Sequence, residues 1–358
     1  TMKYYNLKYY FLFLIFGTLF HLELYAQIQN KEVLMDKNIN KLIYSDPKKA
    51  IEITQSLLNQ PNLKDQEKSK LIFQIAKAYK VKGEFSKALK FLYQESIYKN
   101  HLSKNELIEI EIEKADILLQ LSFFDEAKKI IASVEESYTD ETDKDLKFYF
   151  EAWVNIEKAE ILYQEEDYAP AIALLETTNL KNNNKFPEVR FWYDVLLGKL
   201  YYKKLNQAIS RKHYEKALKY IDDFDKENIY ARVHVTSGLA ALAFQNKDYE
   251  GSNKLLNEVY GYAVQLDNLL LQELVIRMLN INYLALNDIE NYKLATTKLA
   301  QLSNSIELLN QESVNSVFNL ISEEQANISS KKETVYYNIA YGLLAILIVL
   351  FLVFFIIW

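Results

Sequence analysis

Six times along this chain of 358 residues an aromatic is followed three positions later by a small residue. The pairs are Phe85/Ala88, Phe124/Ala127, Tyr168/Ala171, Tyr214/Ala217, Tyr249/Ser252 and Tyr292/Ala295. A weaker copy lies upstream, where Asp46 and Pro47 precede Ala50. The small residues at 50, 88, 127, 171, 217, 252 and 295 are spaced by 38, 39, 44, 46, 35 and 43 positions, the interval of a solenoid built from helical hairpins.

Close packing explains the pattern. A second small residue lies twelve positions before the first at Ala76, Ala115, Ala159 and Ala240, so two antiparallel helices can bring their backbones together there. The aromatic at the start of the second helix fills the space beside the turn. Gly83 stands where a helix end needs a left-handed residue, and Asp46, Asp167 and Asp248 stand where the next helix needs a cap. Seven Gly and four Pro leave little punctuation for a many-stranded protein, and the expected class is all-α. Ile108 to Glu113 alternates with period two, as a strand would, but runs directly into Ala115, Leu118 and Leu119 at helical spacing and is assigned to a helix.

The run Ile75-Ala76-x-x-Tyr79-x-x-x-Gly83-x-Phe85-x-x-Ala88 resembles a tetratricopeptide repeat, and Leu197-Gly198-x-x-Tyr201 reproduces the first-helix part of that signature. The resemblance covers most of residues 35 to 300. It implies a right-handed superhelical solenoid of about seven hairpins. Two departures stand out: the intervals exceed the family's 34-residue period, and the Pro that closes each family repeat is almost absent. Gly198 and Ala217 are 19 rather than 12 positions apart, which implies a hairpin lengthened by about two helical turns.

The two ends carry a different signal. Lys3 and Lys8 precede an apolar run from Tyr9 to Phe20, and Leu24-Tyr25-Ala26 is a small-residue cleavage site, so residues 1–26 are expected to be a secretory signal peptide. The alternative is an uncleaved anchor over Leu7 to Tyr25, which His21 and Glu23 disfavour. Residues 27–330 then form the solenoid, and 331–358 a linker and a transmembrane helix. Ile339 to Trp358 contains no charge, and twenty helical residues span about 30 Å, the thickness of a bilayer core. This order places the solenoid in the periplasm, anchored to the inner membrane by a single span. The architecture is similar to the sensory half of bacterial one-pass regulators, and it implies a cytoplasmic output domain, DNA-binding or kinase, beyond Trp358.

The charge is −6, or −7 without the leader, which disfavours nucleic-acid binding by this portion. No catalytic chemistry can be assigned. There is no cysteine, and His21, His101, His213 and His234 lie in separate segments without metal-ligand spacing. His213 and Glu215 diverge by about 200° on one helix. No phosphate loop is present, and Ser329-x-x-Lys332 has no catalytic context. Asp222-Asp223-Phe224-Asp225 lacks the Gly and closing Glu of a calcium loop and reads as a solvated turn. No enzyme, cofactor or metal is expected.

A protein or peptide is the expected partner, and the first helices of stacked hairpins form the concave face that would hold it. The tetratricopeptide register implies inward positions at Lys70, Phe73, Lys77 and Lys80, then Glu109 and Asp116, then Trp153, Glu157, Glu160 and Tyr163. Trp192, Lys199, Tyr202, His234, Ser237 and Phe244 follow, and Arg277 and Asn280 close the far end. Trp153, Tyr163, Trp192 and Tyr202 would be aromatic anchors, unless they wedge between helices as core residues. The expected role is sensory, within a signalling or transcription-regulating protein; the alternative is an envelope scaffold that gathers partners without output.

Overall fold

In the computed structural model, which describes residues 37–61, 63–94, 102–178 and 185–357, the repeat becomes a series of antiparallel helix pairs. Helix α1 (37–45) pairs with α2 (Pro47–Leu58), α3 (Asp65–Val81) with α4 (Phe85–Gln94), and α5 (Lys104–Gln120) with α6 (Phe124–Ser137). Next come α7 (Lys144–Gln164) with α8 (Tyr168–Thr177), α9 (Pro187–Lys203) with α10 (Gln207–Phe224), α11 (Ile229–Gln245) with α12 (Tyr249–Gln265), and α13 (Leu269–Ala285) with α14 (Ile289–Ile357). No strand occurs among the described residues. The leader expected over residues 1–26 lies outside them.

One turn geometry repeats in six hairpins. The first helix ends at a left-handed residue, Gly83, Ser122, Glu166, Leu205, Lys247 or Asn287, with φ between 57° and 75°. The following N–H donates back to a carbonyl five residues earlier, as Glu84 does to Tyr79 at 2.9 Å and Asp248 to Ala243 at 2.9 Å. That same residue then caps the next helix where its side chain permits: Asp248 accepts from Gly251 N–H and Asn206 from Ile209 N–H. Only one of the six left-handed positions is glycine.

The structure corrects the repeat between Gly198 and Ala217. Counted from its own turn, the small residue of each second helix is at 50, 88, 127, 171, 210 and 252, and position 292 corresponds in the last hairpin. Ser210, not Ala217, is therefore the partner of Gly198. It is buried and its hydroxyl donates to the Gly198 carbonyl at 2.7 Å, twelve positions away as elsewhere. No insertion is needed. Tyr214 and Ala217 form a second pair two turns further along α10, and Tyr292/Ala295 is displaced by three. Tyr214 has a packing role instead. A Cβ added to Gly198 or Gly238 would lie 2.7 or 2.2 Å from its ring, so two glycines on adjacent first helices make the slot it fills.

The hairpins curl until the chain meets its own start. Ile39 and Ile43 of α1, Ala50 and Ile51 of α2, and Ala78 and Val81 of α3 share one core with Val233, Ala240, Leu256, Val259, Leu266, Val275 and Leu279 of α11 to α13. Polar contacts line the same seam. Asn268 donates to the Val81 carbonyl at 2.9 Å, Gln265 donates to the Ser45 carbonyl at 3.3 Å, and Lys82 bridges Glu84 and Asp267. Lys41 reaches Glu227 at 3.3 Å.

Helix α14 continues the last hairpin and crosses back to the second. Val317 is fully buried in the core shared by α3 to α7, with Leu320 and Ile321 packed beside it. Further on, from Val335 to Ile346, its described apolar side chains are exposed. The helix runs unbroken through the segment expected as a linker. No helix is long and apolar enough to cross a membrane among the described residues; the expected span over Ile339 to Trp358 falls mostly on side chains outside them.

Candidate functional site

The first helices α1, α3, α5, α7, α9 and α11 stand side by side around a cavity of about 750 Å³. A helix in this position has neighbours on both flanks and its own partner behind, so only one stripe is left to face the cavity. On α5 that stripe is Glu109, Ile112, Glu113, Asp116 and Gln120, while Ile108 and Ile110 are buried off the cavity. This accounts for the strand-like alternation in the sequence: successive isoleucines 200° apart pack against opposite neighbours.

Aromatic rings form two walls. Tyr149 meets Trp153 edge-on at 6.4 Å on α7 and Phe186 at 4.9 Å. Across from them, His234 lies edge-on to both Trp192 and Tyr230, at 4.9 and 4.8 Å, and Tyr44 of α1 extends this cluster at 6.4 Å from Tyr230. Burial, with smaller repulsion from Lys199 and Lys80, drives the His234 pKa down to about 3, so the imidazole is neutral. Its Nε2 is buried without a hydrogen-bond partner.

Charges occupy the floor between these walls. Lys80 is ion-paired with Glu113 at 2.8 Å and with Asp116; burial opposes its charge, but the two carboxylates raise its pKa well above the usual value. Burial likewise opposes ionisation of Asp116, and Lys80 overcomes it, lowering that pKa. Glu157 has no such relief. Burial, and then repulsion from Asp116, push its pKa well above the ordinary carboxylate value despite Lys80. Lys77 sits 4.2 Å from the Phe73 ring, and it keeps its charge against burial through Tyr44, Glu113 and Glu109.

Of the inward positions implied by the register, Phe73, Lys77, Lys80, Glu109, Asp116, Trp153, Glu157, Glu160, Trp192, Lys199 and His234 line this cavity. The others do not. Lys70 is exposed at the start of α3. Tyr163 lies beyond the cavity rim, with the Lys199 and Lys203 amines over its ring, and Tyr202 packs against the core between α9 and α11. Phe244 meets Tyr249, Arg277 pairs with Glu273, and Asn280 donates to Thr296. Ser237 is half-buried on α11 away from the lining.

Sequence reasoning missed Asn40, Lys41 and Tyr44, because the first recognisable signal of that copy, Asp46, belongs to its second helix. It also missed Glu113, Tyr149 and Tyr230, each four residues from a position that was identified. Continuing each stripe by one turn would have found them.

Two other sequence features resolve away from the cavity. His213 shares a 2.6 Å hydrogen bond with buried Asp194 and stacks on Tyr201. Asp222 accepts from Arg232 at 2.7 Å, where α10 ends. No group that could hold a metal occurs among the described residues.

No protein-family profile matches the chain, and no curated protein is significantly similar to it in sequence. Solved structures resemble it in fold. NprR in complex with its cognate peptide NprX superimposes with a TM-score of 0.54 at 12% identity, over 84% of this chain and 87% of that one. The fold is that of tetratricopeptide-type helical repeat proteins. Looser matches are a signal-transduction ATPase with a tetratricopeptide repeat sensor from Pyrococcus horikoshii and yeast Tom70. The first has a TM-score of 0.46 at 17% identity, over 84% of this chain and 44% of that one; the second 0.43 at 17%, over 78% and 59%.

Proposed function

We propose that this tetratricopeptide-type ring is a binding module that takes a peptide, or a peptide segment of a protein, into the cavity between its first helices. The observation that carries this is the cavity itself. Its volume lies in the range of ligand sites, its walls are aromatic, and the charged groups between them can orient a ligand. The structurally similar NprR is seen with a peptide, which favours a peptide among ligands of that size. Nucleophile, base and metal constellations have no counterpart among the cavity groups, so binding rather than turnover is the reading.

The test is photo-crosslinking in cells, with a photoreactive residue at Trp153 or Trp192 inside and at Phe318 outside. Capture of one defined peptide or protein at both inner positions is the expected outcome. Equal capture at position 318 would overturn it.

The finer part of the proposal is a sensory module tethered to the inner membrane by the apolar end of α14, with the ring on the periplasmic side. The uncharged stretch Ile339 to Trp358 and the leader-like residues 1–26 support the topology. The course of α14 supports a signalling role, because one helix both packs its Val317 into the ring's core and continues toward that stretch. The chain has no cysteine, so a single Glu250→Cys on α12 reports sidedness. Labelling by an impermeant maleimide before the inner membrane is broken is expected; labelling only afterwards refutes the placement.

A further inference from the structure

We propose that the cavity selects ligands carrying a cationic group beside an apolar body, an ammonium or a guanidinium, and seats that cation against Glu157 and Glu160 of α7. This rests on the cavity being a ligand site, and it names the chemistry the site would take.

A charge inventory points there. Around the floor, Glu113, Asp116, Glu157 and Glu160 meet Lys80 and Lys199, and of the four only Glu113 also feels Lys77. Lys80 is consumed by Glu113 and Asp116, and Lys199 reaches only Glu160, at 3.5 Å. Glu157 is left over. It is 4% exposed, it lines the cavity, and among the described residues no hydrogen bond or ion pair reaches its carboxyl. A carboxyl in that position is costly in either form, since a charged one lacks a counter-ion and a neutral one lacks a hydrogen-bond partner. A donor supplied by a ligand removes both costs.

Independent groups favour the same ligand. The unpartnered Nε2 of neutral His234 is a second buried atom awaiting a partner. Trp153, one turn before Glu157 on α7, and Trp192 on α9 also line the cavity, and indole rings attract a desolvated cation and bury an apolar body next to it. An anion would have to meet Lys77, which makes no ion pair among the described residues but whose charge Glu113 and Glu109 already favour, so the need for a counter-ion is smaller there than at Glu157. A bare metal ion has no cluster of three ligating side chains among the described residues.

The probes are three phenylethyl compounds of different charge: 2-phenylethylamine, the equal-sized 2-phenylethanol, and the slightly larger 3-phenylpropionate. They are titrated into the full chain in detergent micelles, with tryptophan fluorescence as the readout. A leucyl-phenylalanyl-leucine amide, with its amino terminus free or acetylated, separates a peptide amine from a free small amine. The amine is expected to bind at least tenfold more tightly than the alcohol, and Glu157→Gln to abolish that preference while leaving the alcohol unaffected. The near-isosteric Gln and a melting point no lower than the parent's guard against misfolding, and Glu160→Gln gives a second, smaller loss. Equal binding of all three compounds overturns the charge selection and leaves the cavity as a binding site. No response from any compound or peptide overturns both. A preference for the free-amine peptide over phenylethylamine assigns the cation to a peptide terminus; the reverse assigns it to a small amine.

Discussion

Inner and outer helices of the same hairpins are built on different principles. An outer helix has one apolar stripe and one wet face: on α12 the buried residues are Ser252, Leu256, Val259 and Ala263, and on α6 they are Ala127, Ile131 and Val134. An inner helix is buried nearly all round. On α11, Ala231, Val233, Val235, Thr236, Gly238, Ala240, Leu242 and Ala243 are all inside. The consequence is that a polar residue means different things in the two settings. On an outer helix most charged residues mark solvent, whereas on an inner helix many mark the cavity, where desolvation makes a charge costly unless it is paired.

The sharpest way to break this distinction is to add the same methyl group to each kind of helix. Gly238→Ala on inner α11 places a Cβ 2.2 Å from the Tyr214 ring, and the fold should lose about 3 kcal/mol, the upper end of overpacking costs. Gly261→Ala on outer α12 meets nothing within 4 Å and should gain up to about 1 kcal/mol from helix propensity. Urea unfolding of both variants checks this, with Tyr214→Leu expected to recover part of the Gly238→Ala loss. Similar shifts in the two variants would show that inner and outer packing are equally tolerant.

The next effect concerns the seam, where an outer-face device does inner-face work. Asn268 caps α13 by accepting from Leu271 N–H at 2.9 Å, and its amide also donates to the Val81 carbonyl across the closure. Asn268→Ala should therefore cost the cap, about 1 kcal/mol, plus a stranded buried carbonyl, bringing the total to about 2–3 kcal/mol. Asp248→Ala, a cap without a second bond, should cost about 1 kcal/mol. Equal losses by thermal unfolding would mean that the seam bond contributes nothing and that the ring is closed by apolar packing alone.

The same contrast explains what was legible in the sequence. The aromatic-x-x-small pairs belong to the outer helices, whose periodicity is clean, and they located most hairpins and their number. Tyr214/Ala217 misled because Tyr214 is large for a different reason: it fills a slot between two glycines, and Gln207 stands at the position where the aromatic was expected. Four of the six left-handed turn residues gave no signal, since Ser122, Glu166, Leu205 and Lys247 are not residues that announce a helix end; Asn287, which tolerates this conformation, went unread. In the site, inner-helix register found Trp153, Glu157 and Trp192 correctly placed on the lining. It could not show closure. That the first hairpin seals the cavity with Tyr44 depends on contacts between residues more than 180 positions apart, such as Asn268 with Val81, and those have no local pattern.

A smaller effect tests the cost of inner polarity directly. The Glu157 carboxyl has a raised pKa in the fold, through burial and then Asp116, opposed by Lys80, with Glu160 and Glu113 adding repulsion. Below the unfolded carboxylate pKa both states hold the proton and Glu157 costs the fold nothing through titration. As pH rises from the unfolded value toward the folded one, the unfolded chain releases its proton first, so stability falls until the folded carboxyl also ionises. Glu157→Gln cannot ionise. Its melting point should match the parent near pH 4 and exceed it increasingly toward pH 8; a constant difference would mean that Glu157 does not titrate on folding. The gain is limited because a neutral carboxyl already relieves the charge at rest.

The smallest effect belongs to the turns joining inner to outer helices. Glu166 and Lys247 hold φ of 62°, a left-handed conformation in which a side chain carries a steric cost that glycine does not. Both are exposed, and neither side chain makes a hydrogen bond or ion pair among the described residues. Replacing either by Gly removes the steric cost but gives the unfolded chain more freedom to lose, and the two effects partly cancel. A net gain of about 0.5 kcal/mol per site is expected from urea midpoints, with ligand binding unchanged because the turns lie at the end of the hairpin. A loss instead would show that these positions are held left-handed by packing against the neighbouring hairpin rather than by the helix end itself.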